Sequence, residues 1–323
     1  MKKILSSVFI MIILIFLAFE ILTTSKTILS AVSFSFTIWR DNIFPSLFPF
    51  FVLSEVLSNY GFVELTSEIF KPLMNKVFKV SSNGAFAFIM SIISGFPGNA
   101  KYVRELYLKK VINEDEASKI LTFTHFSNPL FILGTISVFF LNNKKVGLLV
   151  LICHYLTNLI IGIIFRNYYP TKEKADKFSL KKAVLRMHQR RINNDKNFGT
   201  IITTALVNSI NTLLLILGIV TMFLCITTII SNNIHLSDYN KSILNGFIEM
   251  TQGLKYVSLL DIPLKFKATI TTMILSFGGL SVHMQVVSIL SDTKIRYLPF
   301  LTARLLHSAI ASLLCFILFD FLI

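Results

Sequence analysis

Acidic residues are scarce: 17 Asp and Glu stand against 31 Lys and Arg in 323 residues, and charged residues make up only 15% of the chain. With 54% hydrophobic residues and a mean hydropathy of +0.69, that leaves far more apolar surface than one aqueous core can hide. A soluble globular fold is excluded and a membrane protein is implied. Cys153, Cys225 and Cys315 each stand alone in an apolar run, with no C-x-x-C spacing, which argues against a disulfide framework or a zinc site. P-loop, dinucleotide-glycine, HExxH and G-x-S-x-G patterns are all missing, so the sequence is read as a non-enzyme with no cofactor and no metal. The net charge of +14 gathers beside apolar segments, where it marks topology; no nucleic-acid partner is expected.

What is present is length. Apolar stretches run from Ile4 to Phe19, Ile43 to Leu57, Phe126 to Leu141, Val146 to Phe165, Ile201 to Ile230 and Leu298 to Ile323, against the roughly 20 residues that a helix needs to cross a bilayer. The first is read as a retained helix, because "LAFEILTTSK" offers no small-x-small cleavage site. Four parts follow: an N-terminal transmembrane helix over 1–27, a first repeat over 28–166, a basic loop over 167–198 and a second repeat over 199–323. Between Arg166 and Lys196 ten basic residues face three acidic ones, which predicts a cytoplasmic loop and, with the N-terminal lysines, a cytoplasmic N-terminus.

Two kinds of interruption stand inside the apolar pattern. "SIISGFPGNAKYVREL", residues 91–106, breaks at Pro97-Gly98-Asn99 after a run from Gly84 that is too short to cross, so a re-entrant hairpin is expected over about 84–112. Asn113 followed by Glu114, Asp115 and Glu116 starts a new helix, and Asn128-Pro129 breaks it again. The second half carries similar marks. "NIFPSLFPFFV" from Asn42 can be laid on "NSINTLLLILG" from Asn208, "GFPGNAK" from Gly95 on "GLSVHMQ" from Gly279, and "HYLTNLIIGIIF" from His154 on "RLLHSAIASLLC" from Arg304. Counting crossings makes the copies inverted, with a second hairpin expected over about 264–291. The fold class is all-α integral membrane: a polytopic helical bundle of two inverted repeats, each with a re-entrant helical hairpin.

A broken helix survives in hydrocarbon only where protein or a wet cavity surrounds it. Its free N–H groups can then hold a polar solute, as at the meeting point of discontinuous helices in secondary transporters. On that logic the candidate substrate-binding residues are Ser94, Gly95, Pro97, Gly98, Asn99 and Asn128 in the first half and Gly278, Gly279, Ser281, His283 and Gln285 in the second. Asn42, Asn208 and Lys101 support them. The plainer reading of each polar residue is an interhelical hydrogen bond, and of the glycine pair close packing. Aspartate is scarce in the spans and the acids look interfacial, so no carboxylate coupling site is evident.

Three blocks in order, "DNIFPSLFPFFVLSEVL", "GAFAFIMSIISGFPGNAK" and "INEDEASKILTFTHFSNPLFILGTIS", resemble the YlbJ family of sporulation integral membrane proteins. That family lies within the nucleoside-recognition or Gate-domain group and is distantly similar to concentrative nucleoside transporters. The resemblance runs from about residue 30 onward. It implies a multi-pass cell-membrane protein of a spore-forming bacterium, needed for spore cortex formation, with Gate-type hairpins. It places the family's tip on Gly95, Phe96 and Pro97, its lysine on Lys101 and its Asn-Pro element on Asn128 and Pro129; Asn99 stands where the family usually has glycine. The expected function is movement of a small polar, nucleoside-like solute across the bilayer by alternating access. The alternative is a non-transporting scaffold for spore or envelope assembly, with a second copy or a sporulation protein as partner.

Overall fold

The computed structural model describes residues 2–170 and 179–323, and among them every regular element is helical. Residues 171–178 of the basic loop lie outside the described residues. Helix α1, Lys2–Thr23, meets α2, Ser25–Ile38, at an elbow of 96°. The Thr23 and Thr24 hydroxyls donate to the carbonyls of Phe19 (2.9 Å) and Glu20 (2.7 Å), a back-bonding pattern that bends helices. Where the sequence predicts two crossings joined by a turn, the chain is nearly continuous and α1 swings away almost perpendicular to its successor. A π-helical turn over Trp39–Ile43 carries α2 into α3, Phe44–Asn59.

Short α4, Phe62–Ile69, and a π turn over Leu73–Phe78 lead to α5, Gly84–Ser94, and α6, Gly98–Leu108. The last two fold back on each other: Phe86 and Tyr102 sit with ring centroids 5.8 Å apart, which a straight helix would not allow. Helix α7, Glu114–Phe123, starts on the Asn113 side chain, which accepts the Glu116 N–H at 2.9 Å. It unwinds through 124–130 and resumes as a π-helical stretch over Phe131–Phe140. Helix α8, Lys144–Ile164, closes this half.

Basic helix α9, Leu180–Ile192, lies on α4, with Arg186 3.6 Å from Glu68 and Arg190 3.8 Å from Glu64. The second half comprises α10, Phe198–Asn233; α11, Asp238–Ile248; α12, Met250–Leu259; α13, Leu264–Phe277; α14, Gly279–Ile289; and α15, Tyr297–Leu322. Here the structure corrects the expected hairpin over 264–291. Helices α13 and α14 form one apolar span, Leu264–Ile289, interrupted at Gly278 without folding back. The folded-back pair is α11 with α12, where the Lys241 ammonium stands 5.0 Å from the Tyr256 ring. The stretch around Asn208, laid by sequence on the proline-interrupted segment at Asn42, belongs to the unbroken 36-residue α10. Among the described residues, four helices have the length and apolarity of membrane spans: Lys144–Asn167, Phe198–Asn233, Leu264–Ile289 and Tyr297–Leu322. A fifth is added if α1 and the bent run through Asn59 count as one span.

The molecule is an all-helical integral membrane fold. Helix α10 packs along α2 and α3, while α15 packs along α8 and α13. The short interrupted helices lie between these long ones, so their open backbone groups are enclosed by protein.

Candidate functional site

The tip of the first hairpin is set by what backbone can fit there. Gly95 has φ +79°, and a Cβ on it would stand 2.3 Å from the Asn128 nitrogen, so no side chain is tolerated. A cis Phe96–Pro97 bond follows, and the Phe96 N–H donates to the Phe126 carbonyl at 2.7 Å. That bond ties the tip to the unwound stretch. Asn128 strengthens the tie: its amide donates to the carbonyls of Ser94 (3.0 Å) and Ser46 (3.1 Å), and its oxygen accepts the Leu130 N–H at 2.7 Å. The Ser94 carbonyl belongs to the last turn of α5, so Asn128 serves a helix end that would otherwise be unpartnered.

The unwound stretch is braced from behind by α8 and α15. Arg304 is fully buried, and its guanidinium donates to the Thr122 carbonyl, to the His125 carbonyl at 3.4 Å and to Asn158 Oδ1 at 3.2 Å, with His307 Nδ1 2.8 Å away. A cation at the broken C-terminus of α7 opposes the negative end of that helix's dipole. His154 Nε2 accepts the Ser127 N–H at 2.9 Å, and Asn158 donates to the His125 carbonyl at 3.0 Å. The His125 ring is stacked on Phe96 with centroids 4.6 Å apart, and neither of its nitrogens has a hydrogen-bond partner among the described residues.

The second half answers with a carboxylate. Glu249 sits at the turn from α11 to α12, is 1% exposed, and caps α12 by accepting the Gln252 N–H at 2.8 Å. The hydroxyls of Thr251 and Ser281 donate to its other oxygen at 3.2 and 3.4 Å. No ion pair joins it to a cation among the described residues. Gly278 and Gly279, at φ +92° and +71°, seat the break of the α13–α14 span against both partners. A Cβ on Gly279 would meet the Met250 nitrogen at 2.9 Å, and one on Gly278 would lie 3.5 Å from His125 Nε2.

Between these parts lies a cavity of about 60 Å³, lined among others by Ser46, Ser127, Asn128, Glu249, Thr251 and Gln285. Nearer the face that carries the basic loop, a polar vestibule of about 650 Å³ opens between α3, α6, α10 and the end of α14. Lys101 and Glu55 stand 3.5 Å apart in its wall, and Asn208 donates to Glu55 at 2.6 Å. Arg104 pairs with Asp292, in the loop after α14, through Nε to Oδ1 at 2.7 Å and through a second bond. The guanidinium holds the Asp292 carboxyl below its usual range. Leu47, Phe51, Ile216 and Val286 belong to one buried apolar cluster; Leu47 and Ile216 line the small cavity, while Phe51 on α3 and Val286 on α14 fall between residues that line it and residues that line the vestibule.

The candidate residues therefore divide. Asn128 and Gln285 line the small cavity, Ser281 reaches Glu249, and Gly95, Gly278 and Gly279 stand outside the lining but pack against its residues Asn128, Val282 and Met250. Ser94 and Gly98 face each other inside the hairpin, where Ser94 Oγ accepts the Tyr102 hydroxyl at 2.9 Å, and Pro97 forms the tip beside them. Asn99 is fully buried and its amide has no hydrogen-bond partner among the described residues. Both nitrogens of His283 are engaged, by the Tyr297 hydroxyl at 2.7 Å and the Phe277 carbonyl at 3.1 Å. Asn42 accepts from Thr135 at 2.7 Å away from the cavity, while Asn208 and Lys101 belong to the vestibule. Sequence reasoning missed Glu249, and the view that acids are interfacial is corrected by its burial. Its signal was one acid in the apolar run "NGFIEMTQGL". Arg304 served only to align the halves, and its place behind the break was not foreseen.

Broken helices enclosed by long spans around a buried polar cavity define a polytopic integral membrane protein of the discontinuous-helix kind. Comparison with known proteins makes this specific. Residues 42–144 match the Gate family model, described as nucleoside recognition. The sporulation integral membrane protein YlbJ of Bacillus subtilis (strain 168) is 33% identical over 329 residues, spanning 94% of this chain and 80% of that protein. The chain belongs to the family of sporulation integral membrane protein YlbJ. No solved structure matches it.

Proposed function

We propose that this protein moves a small polar solute across the membrane by alternating access, during formation of the spore and its cortex. The observation that carries the reading is Glu249: a buried carboxylate with no ion-pair partner among the described residues, at a hairpin turn beside hydroxyls and amides, in a cavity near the meeting of two interrupted helices. Buried ionisable groups at membrane depth mark solute or ion paths. The vestibule supplies access from one face, and the apolar cluster around Phe51 is the closure below it. We read the two halves as inverted copies in which α5–α6 corresponds to α11–α12, and the unwound stretch after α7 to the break at Gly278. In this reading the basic loop and the vestibule face the cytoplasm. Asn128, Thr251, Ser281 and Gln285 surround the solute, while His283 and Asn99 shape the scaffold.

A role as a scaffold recruiting partners through the basic loop is less favoured, since Arg186 and Arg190 already face Glu68 and Glu64 of the same chain. The test is flux into proteoliposomes with a panel of nucleosides, dipicolinate-like acids and cell-wall precursors. Uptake of one class above that of empty vesicles, lost in Glu249→Gln, is the expected result. Absence of uptake across the panel, with sporulation failing only when Lys181 to Arg191 are altered, favours the scaffold.

A further inference from the structure

At the end of the bundle opposite the vestibule, a second polar pocket of about 230 Å³ lies between the first turns of α2, the last turns of α10 and the α11–α12 hairpin. Two lysines line it. The Lys255 ammonium lies 4.2 Å from the Phe34 ring centroid and the Lys241 ammonium 5.0 Å from that of Tyr256, so aromatic faces fix both cations. Neither forms an ion pair with a carboxylate among the described residues. Gln252 donates to the Tyr256 hydroxyl at 2.8 Å, which leaves that O–H free to donate into the pocket. The Gln252 carbonyl oxygen is buried and has no hydrogen-bond partner among the described residues. Thr27, Ser30 and Thr228 add hydroxyls to the wall.

We infer that this pocket binds the headgroup of an anionic glycerophospholipid. Two fixed cations with a phenolic donor suit the phosphodiester of phosphatidylglycerol. The lipid source follows from position. The pocket is built where α2 begins and the apolar α10 ends, so it lies toward one end of the membrane spans, and its own wall adds an apolar surface of Ala31, Phe34 and Leu224. Acyl chains would lie against that surface while the phosphate sits between Lys241 and Lys255. A soluble phosphate ester would satisfy the polar groups equally well but has no use for the adjoining apolar face.

The test uses the full chain in nanodiscs of mixed phosphatidylglycerol and phosphatidylcholine, released for native mass spectrometry. Wild type is expected to retain phosphatidylglycerol at least fivefold over phosphatidylcholine. Lys241→Gln with Lys255→Gln should remove that preference, while Lys144→Gln, at the start of α8 and outside the pocket lining, should keep it. Lys255→Arg, which preserves charge and ring contact, should also keep it and covers the case in which the double variant does not fold. Equal retention of the two lipids by wild type overturns the inference, as does an unchanged preference in the folded double variant. Displacement of the lipid by millimolar sn-glycerol 3-phosphate would show that a soluble anion is the ligand, and would overturn it too.

Discussion

The two interrupted elements solve one problem in different ways. In the first half the open backbone groups are taken up by side chains: Asn128 serves the end of α5, Arg304 and Asn158 the end of α7, and His154 the Ser127 N–H. In the second half glycines at positive φ bring backbone against backbone, and the polar group left at the turn is the carboxylate of Glu249. The first half is thus a braced wall whose hydrogen bonds are mostly committed within the fold. The second presents an acid that accepts from backbone and hydroxyl donors but has no ion-pair partner among the described residues, and so retains chemistry for a solute.

The sharpest way to break this contrast is to unbrace the wall. Arg304→Leu leaves the Thr122 carbonyl without its donor and weakens the tie on His125, at about 1–3 kcal/mol for each buried group left unpartnered. Folded protein recovered by size-exclusion chromatography should fall most for this variant. Gly279→Val follows, because the new side chain would meet the Met250 backbone at an unfavourable φ; strain of about 1–3 kcal/mol should lower the thermal midpoint by several degrees in detergent. Asn128→Ala should cost about 1–3 kcal/mol in the same assay by orphaning the Ser94 carbonyl. Glu249→Gln should change stability by no more than about 1 kcal/mol and so leave the midpoint close to that of wild type, since the amide oxygen still caps α12.

The smallest effect is expected at the rim. Asp292 is half exposed, so Asp292→Asn should change stability little. Its folded pKa lies below the ordinary carboxylate value of about 3.9. The Arg104–Asp292 contribution is therefore present above that value and is lost as pH falls through the lower folded one. Hydrogen exchange in the loop after α14 should accelerate only in that acidic window, and the asparagine variant should show no such step.

Much of the first half was legible because its breaks are written in residues with fixed backbone consequences. "SGFPGNAK" contains the positive-φ glycine and the proline that make the tip, "FSNP" marks the unwound stretch, and Asn113 before three acids announces α7. The second hairpin was misplaced for the converse reason. Gly278-Gly279 is the louder break in sequence, yet α13 and α14 continue as one span, while the true fold-back at Glu249 uses neither proline nor an adjacent glycine. That turn is made by the Glu249 side chain capping α12 and by the close approach of Gly246 and Gly253, where an added Cβ would meet backbone at 2.1 Å, a contact that exists only once the two helices have folded together. Arg304 was illegible for a related reason: the carbonyls it serves are open only once α7 has unwound.

The most direct measurement is solute uptake by Glu249→Gln beside wild type in matched proteoliposomes, normalised to folded protein by thermal midpoint. A fall of at least tenfold with the midpoint preserved is the expected outcome. Wild-type uptake by the folded variant would mean that the second hairpin is only another wall, and that the solute passes elsewhere.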